Sequence, residues 1–215
     1  MPLQIAPGGL VVPPAGEIGT LARAFRDVHH VRLPALVHPA ILRKLQARLA
    51  AAGTWTTLVH PLPGGAKAVE LVCTDAIVVG LLTAMFHDAA LFSVMRAVTG
   101  CDPIRSFHGR IYRMDPGAHA DAWHDDANDK YLVALSLNLT DRPFAGGELH
   151  LRDRASRRVH AEVANTAQGD AVLFRLDPTL EHMVTAVTGG VPKVAWAGWF
   201  YRDAPLPELD RLAGL

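Results

Sequence analysis

The apolar positions of this chain change their period near residue 104. Before it, the dominant spacing is helical. Leu36, Ile41, Leu45 and Leu49 recur four or five residues apart, with Arg43, Lys44 and Arg48 between them, which predicts a helix over Leu36–Ala51 that Gly53 stops. Trp55–His60 and Lys67–Cys73 read as two strands joined by the turn-forming Pro61–Gly65 segment. A long apolar run, Ala76–Thr99, predicts one buried amphipathic helix with an N-cap at Thr74 or Asp75 and a stop at Gly100. Met1–Gly16, broken by Pro and Gly, reads as an irregular arm. After residue 104 the runs are short: Ile104–Met114, Tyr131–Thr140, Glu148–Arg152, Val159–Val163, Ala171–Arg175, His182–Val187 and Val194–Tyr201. Asp115-Pro116-Gly117, Asp125–Asp129, Ala145-Gly146-Gly147, Gln168-Gly169-Asp170 and Gly189-Gly190 supply turns between them. Strands at that spacing indicate a β-sandwich or barrel, so the chain is expected to be mainly β with N-terminal helices packed outside one core.

No linker separates the two regions, and the 215 residues are expected to form one domain, with residues 1–103 as a helical and β support and 104–203 as the β core. Half of the residues are hydrophobic, 20% are charged and the net charge is zero, a balance that argues against disorder and against nucleic-acid binding through a broad basic field. His87, Asp88 and Arg96 interrupt the longest apolar stretch, which argues against a membrane span. Two cysteines, Cys73 and Cys101, are too few for a disulfide framework, and no targeting segment is evident, so a cytoplasmic location is the expectation. Along Tyr131–Thr140, Tyr131, Val133, Leu135, Leu137 and Leu139 share one face. Leu132, Ala134, Ser136, Asn138 and Thr140 share the other, which either meets solvent or lines a partly wet cavity; parity does not decide.

Two His-x-Asp patterns lie close together: His119/Asp121 and His124/Asp126. On a strand, residues two apart point the same way, so either pair can bind one metal ion. In an unbroken strand the two pairs face opposite sides, and at most one looks into the cavity. His182 opens a later apolar strand. Two histidines and one carboxylate form the set that holds non-haem Fe(II) and leaves positions open for other ligands. Trp123, Trp196 and Trp199 are read as core aromatics.

Taken in order, Trp-His124-Asp-Asp126, Ala-Gly146-Gly147-Glu-Leu149, Gly169-Asp-Ala-Val-Leu-Phe174, His182-Met-Val-Thr-Ala-Val187, Lys193 and Trp199-Phe resemble the 2-oxoglutarate/Fe(II)-dependent dioxygenases, and the prolyl-4-hydroxylase-like branch in particular. The resemblance covers residues 105–202. It implies a double-stranded β-helix, a jelly-roll or cupin-like barrel of two antiparallel sheets, with helices packed on it. It also implies a metal site of His124, Asp126 and His182, with His119 and Asp121 left at the rim. The implied co-substrates are 2-oxoglutarate and O2, and Lys193, eleven positions after His182, would meet the far carboxylate of 2-oxoglutarate. The family's tyrosine before the His-x-Asp falls near Met114, so Tyr112, slightly upstream, is the candidate contact, with Asn138 and Ser136 as substitutes. Asp126 matters for the reaction: halogenating relatives lack that carboxylate, so hydroxylation is the implied outcome, with desaturation or ring formation left open. The expected partner is a small molecule, amino acid or short peptide; no nucleic acid or membrane is expected, and the oligomeric state stays open. The competing reading is a cupin-like metal-binding barrel without oxygenase activity, which has no use for Lys193.

Overall fold

The structure, a computed structural model, describes residues 1–51, 55–61, 67–117, 122–126, 130–165 and 167–203. In chain order the elements are β1 (Gln4–Ala6), β2 (Gly9–Val11), α1 (Ala15–Val28), β3 (His30–Leu33), α2 (Pro39–Ala51), β4 (Trp55–Pro61), β5 (Lys67–Cys73), α3 (Ala76–Phe86), α4 (Ala89–Thr99), β6 (Ser106–Met114), β7 (Tyr131–Asn138), β8 (Ala145–Gly146), β9 (Leu149–Asp153), β10 (Val159–Val163), β11 (Ala171–Arg175), β12 (Leu180–Val184), β13 (Val187–Thr188) and β14 (Lys193–Tyr201).

A seven-stranded sheet in the order β3-β11-β7-β14-β6-β5-β4 forms the larger layer. Facing it are a three-stranded sheet, β10-β9-β12, and the short β13-β8 pair. The helices cover the outer face of the large sheet. There Phe25 of α1, Leu45 of α2, Phe86 of α3 and Met95 of α4 pack with Val133, Leu135 and Leu137 of β7 and with Trp196 and Phe200 of β14. The alternate face points inward: Ala134, Val172 and Phe174 meet Leu149, Leu151 and Val163 of the small sheet. The period-2 alternation of β7 therefore separates helix-facing from cavity-facing side chains.

Two expectations from the sequence are corrected. The single helix over Ala76–Thr99 is two helices, α3 and α4, bent by 61° at His87–Asp88. The cause is local. Asp88 caps α4 by accepting a hydrogen bond from Leu91 N at 2.9 Å. His87 closes α3 instead of continuing it, its Nδ1 lying 2.8 Å from Thr83 O. Among the described residues no single helix is long and apolar enough to cross a membrane, and α3 and α4 bury Val78, Leu82, Phe86, Leu91 and Met95 in the core. The N-terminal arm is also ordered: β1 and β2 pair antiparallel, and α1 follows. Its start was hidden because Pro14 at the N-cap offers no side-chain hydrogen bond.

Trp196 anchors the helix–sheet interface. It is fully buried, within ring-stacking reach of Phe86 at 6.3 Å and Phe107 at 6.1 Å. Its indole Nε1 makes no hydrogen bond among the described residues. Trp196→Ala is expected to lower unfolding stability by about 3–5 kcal/mol, measured by urea denaturation. Trp196→Phe, which removes the unsatisfied donor and keeps a ring, is expected to cost under about 1.5 kcal/mol; equal losses would show that packing is not what Trp196 contributes.

Candidate metal centre

Residues 122–126 approach β12 through one isolated antiparallel bridge, between His124 and His182. His124 N donates to His182 O at 3.0 Å, and His182 N donates to His124 O at 2.7 Å. These two bonds set the imidazoles side by side, with ring centroids 4.2 Å apart. Asp126 then turns back toward them with φ 48°, a left-handed conformation that aspartate tolerates better than most residues. Strand alternation is thus not what unites His124 and Asp126, since residues 122–126 form no strand. His119 and Asp121 lie outside the described residues.

His124 Nε2 lies 3.7 Å from Asp126 Oδ1, and His182 Nε2 lies 3.6 Å from Asp126 Oδ2. One donor atom from each of the three residues falls within 4.8 Å of the others, close enough for one metal ion to bind all three. His124 Nδ1 donates to Ala122 O at 2.7 Å, which fixes the tautomer and leaves Nε2 with a free lone pair. Trp199 Nε1 donates to Asp126 Oδ2 at 3.1 Å and orients the carboxylate. Burial pushes the Asp126 carboxyl up, but the two imidazoles and the Trp199 indole outweigh it and hold it below its ordinary range. The result is a carboxylate kept ionised beside the two imidazole rings.

Charged side chains brace both arms of the centre from behind. Glu181, next to His182 and nearly buried, accepts from Arg152 at 2.6 Å and from Arg157 at 3.0 Å. Arg154 pairs with Asp125 at 2.5 Å, between the two ligands of the other arm. The Arg152 guanidinium also lies 4.1 Å over the Trp123 ring. Glu181→Gln leaves these guanidiniums without their anion. Because breaking a mostly buried pair costs about 3–5 kcal/mol, thermal denaturation should show a clear loss of stability, whereas Arg157→Gln, at the exposed end, should show less than about 1 kcal/mol.

The three residues open into a cavity of about 440 Å³ between the sheets. Lys193, the first residue of β14, reaches it from the far side and is 4% exposed. Its Nζ donates to Gly147 O at 2.6 Å and lies 5.9 Å from the Phe144 ring. Gly147 is at φ 61°, and a Cβ there would sit 2.8 Å from Lys193 Cδ, so only glycine leaves room for the lysine stem. Tyr112, Met114 and Ser136 also line the cavity. Burial, then the negative charges of Glu70 and Asp126, push the Tyr112 phenol up to about 12.

Asn138 is not brought to the cavity. Its Nδ2 donates to Ala167 O at 3.0 Å and its Oδ1 accepts from Thr140 N at 2.8 Å, so both polar atoms hold the neighbouring loop. Ala134 and Ser136 are the residues of that face which line the cavity, and the polar face of β7 proves to be an interior wall. Trp123 and Trp199 also line the cavity, while Trp196 alone of the three is core. Two lining residues had no motif to announce them. Glu70 enters from β5, where Val72 pairs with Tyr112 and the next inward position is Glu70. Asn165 enters from the β10–β11 connection, bonding Ser136 O at 3.1 Å.

The family model of the 2OG-Fe(II) oxygenase superfamily matches residues 109–201, from β6 through β14. Solved structures share the fold over nearly the whole chain. An oxidoreductase of the 2OG-Fe(II) oxygenase family from Burkholderia pseudomallei is 18% identical, covers 94% of this chain and 96% of its own, and superposes with a TM-score of 0.68. A Pseudomonas putida prolyl-4-hydroxylase is 19% identical over 86% of this chain and 99% of its own, with a TM-score of 0.62. A Trichoplax adhaerens prolyl hydroxylase, solved with a hypoxia inducible factor peptide fragment, is 13% identical over 95% of this chain and 98% of its own, with a TM-score of 0.62. No curated protein matches by sequence. The architecture is the double-stranded β-helix of 2OG oxygenases, and the family uses Fe(II), 2-oxoglutarate and O2. The donor set of this chain fits that metal: two imidazole nitrogens and one carboxylate, facing a cavity that leaves other positions open.

Proposed function

We propose that the protein is an Fe(II)- and 2-oxoglutarate-dependent hydroxylase acting on an unactivated C–H bond of a small molecule, amino acid or short peptide. The observation that carries this reading is a His-Asp-His centre and a buried lysine lining one cavity of about 440 Å³. A metal-binding barrel without oxygenase activity explains the first and not the second.

In this reading His124, Asp126 and His182 hold the iron, and Trp199 fixes the Asp126 carboxylate. Lys193 receives the far carboxylate of 2-oxoglutarate, its ammonium already aimed into the cavity from Gly147. Arg175 and Arg202 are poorly placed for that role: Arg175 sits 5.3 Å over the Phe25 ring on the helix side, and Arg202 is exposed. Tyr112 and Ser136 offer hydroxyls in the same cavity. Leu149, Val172 and Phe174 line it as well and keep water away from the bound groups. When bound, iron with 2-oxoglutarate and O2 supplies the oxidising power, and 2-oxoglutarate leaves as succinate and CO2. The chain's own contribution is ligation, orientation and exclusion of water. Asp126 occupies the position whose loss opens a halide site in halogenating relatives, which supports hydroxylation.

The test is O2-dependent formation of succinate from 2-oxoglutarate, run with a panel of amino acids and short peptides. The expected result is succinate in proportion to a product heavier by one oxygen. Metal binding without any 2-oxoglutarate turnover would favour the non-oxygenase barrel, and a chlorinated product would remove Asp126 from the metal.

A further inference from the structure

On β6, His108, Arg110, Tyr112 and Met114 pair in turn with Trp199, Ala197, Ala195 and Lys193 of β14. Tyr112, Met114 and all four of those β14 residues line the cavity. Paired residues in a sheet project to the same side, so the Arg110 side chain leaves the sheet on the cavity's side, two residues further out than Tyr112. Among the described residues β5 pairs with β6 at Arg113 and Tyr112 and goes no further toward Arg110. The guanidinium is therefore exposed at the mouth, while Tyr112 next to it is partly buried.

Burial pushes the phenols of Tyr112 and Tyr201 up; Asp126 adds to both shifts, and Arg110 opposes both. Arg110 thus lies within electrostatic reach of the same two phenols as the metal ligand. It makes no ion pair among the described residues, whereas Arg113, on the opposite face of the same strand, holds Asp115 at 2.8 Å. An aromatic shelf starts at Asp126 and passes beside Arg110. Trp199, whose indole holds Asp126, stacks on Tyr131 with centroids 5.2 Å apart and 16° between planes. Tyr201 meets Tyr131 edge-on at 4.8 Å, and His108 meets Tyr201 edge-on at 4.5 Å. Arg110 is the diagonal neighbour of Trp199 across the β6–β14 pair, their backbones about 7–8 Å apart. A guanidinium fork matches two oxygens of one carboxylate or phosphate, and the shelf offers an apolar surface leading to it.

We infer that Arg110 is a specificity-determining residue that holds an anionic oxygen group of the substrate, a carboxylate or a phosphate, while the substrate's apolar body lies on the Trp199–Tyr131–Tyr201 shelf. This rests on the function proposed above and narrows its substrate to an acid with an apolar body. The anion is not that of 2-oxoglutarate. Lys193 pairs with Met114, four residues along β6 from Arg110, which is about 13 Å of strand. The two cations therefore serve two different anions, one deep in the cavity and one at its mouth.

The experiment uses the full chain, loaded anaerobically with Fe(II) and saturating 2-oxoglutarate and titrated calorimetrically with pentanoate, pentyl phosphate and the neutral 1-pentanol, each separately. At least one of the two anions is expected to bind about tenfold or more tighter than 1-pentanol, as a charge-assisted bidentate contact provides, and the tighter of the two names the group. Arg110→Gln should erase most of that preference while keeping Fe(II) and 2-oxoglutarate affinity within about threefold; retained 2-oxoglutarate binding also shows that the variant is folded. Arg26→Gln, which removes an exposed guanidinium from α1, should keep the preference. Equal binding of the three probes, or binding of none, would overturn the inference. So would an anion preference that survives Arg110→Gln, because the metal or Lys193 would then hold the probe, or one that Arg26→Gln removes equally, because net charge alone would then explain it. A change in 2-oxoglutarate affinity without a change in preference would place Arg110 with the co-substrate and overturn it as well. If the wild type binds no 2-oxoglutarate, the proposed function fails first; if it binds 2-oxoglutarate and prefers neither anion, the inference alone fails.

Discussion

His182→Ala is expected to abolish Fe(II) binding at micromolar metal and, with it, all turnover. His182 is the most buried of the three ligands, and its ring is fixed from two sides, by the backbone bridge to His124 and by Phe174 at 5.0 Å. Removing it leaves one imidazole and one carboxylate, too few to hold a divalent ion against water. Residues one step behind a metal typically cost about 10–100-fold in affinity when replaced. Loss of a ligand should therefore exceed about 100-fold, and Trp199→Phe, which removes only the hydrogen bond to Asp126, should fall in the lower range. Equilibrium dialysis with Fe(II) under nitrogen measures all of these. His124→Ala should match His182→Ala, and Asp126→Ala should lose hydroxylation without gaining chlorination. His119→Ala should leave metal affinity unchanged. Loss of iron in His119→Ala with retention in His124→Ala would exchange the two pairs.

Lys193→Ala is expected to raise the 2-oxoglutarate concentration needed for half-saturation by roughly 30- to 5,000-fold, the equivalent of about 2–5 kcal/mol for truncating one partner of a buried charge pair. The lysine is 4% exposed and held on the Gly147 carbonyl, so its ammonium is placed before any ligand arrives. Fe(II) affinity without 2-oxoglutarate should change little, since Lys193 is not among the three candidate ligands. Steady-state succinate formation against 2-oxoglutarate concentration reads the effect. An unchanged half-saturation would place the far carboxylate on another residue.

Much of the β core is legible in sequence because short strands with polar turns leave little freedom of register. Val159–Val163 and Ala171–Arg175 have the bounds their apolar runs mark out. The helices are less legible where a cap interrupts an apolar run: Asp88 ends one helix and starts another inside a segment whose hydrophobicity never changes. α1 carries Ile18, Leu21, Phe25 and Val28 at helical spacing, a signal outweighed by the nearby Pro and Gly. At the site, His124, Asp126, His182 and Lys193 stand in recognisable motifs. How His124 and Asp126 come together does not, because a single left-handed residue and one bridge to β12 replace strand alternation. Asn138 and Ser136 are equivalent by parity, and only the hydrogen bonds of the following loop separate the structural residue from the cavity residue. Glu70 is invisible to motif reading, because its place depends on the pairing of β5 with β6 across more than thirty residues of chain.

The most direct measurement is an anaerobic titration of the wild-type protein with Fe(II) and 2-oxoglutarate, followed by visible absorption. Chelation of the 2-oxo-carboxylate by iron at the His124–Asp126–His182 centre should give a weak charge-transfer band that saturates at one equivalent of each. The band should be absent in His182→Ala and should need much more 2-oxoglutarate in Lys193→Ala. A wild-type protein that binds Fe(II) but develops no band with 2-oxoglutarate, or one whose band persists in His182→Ala, would contradict it.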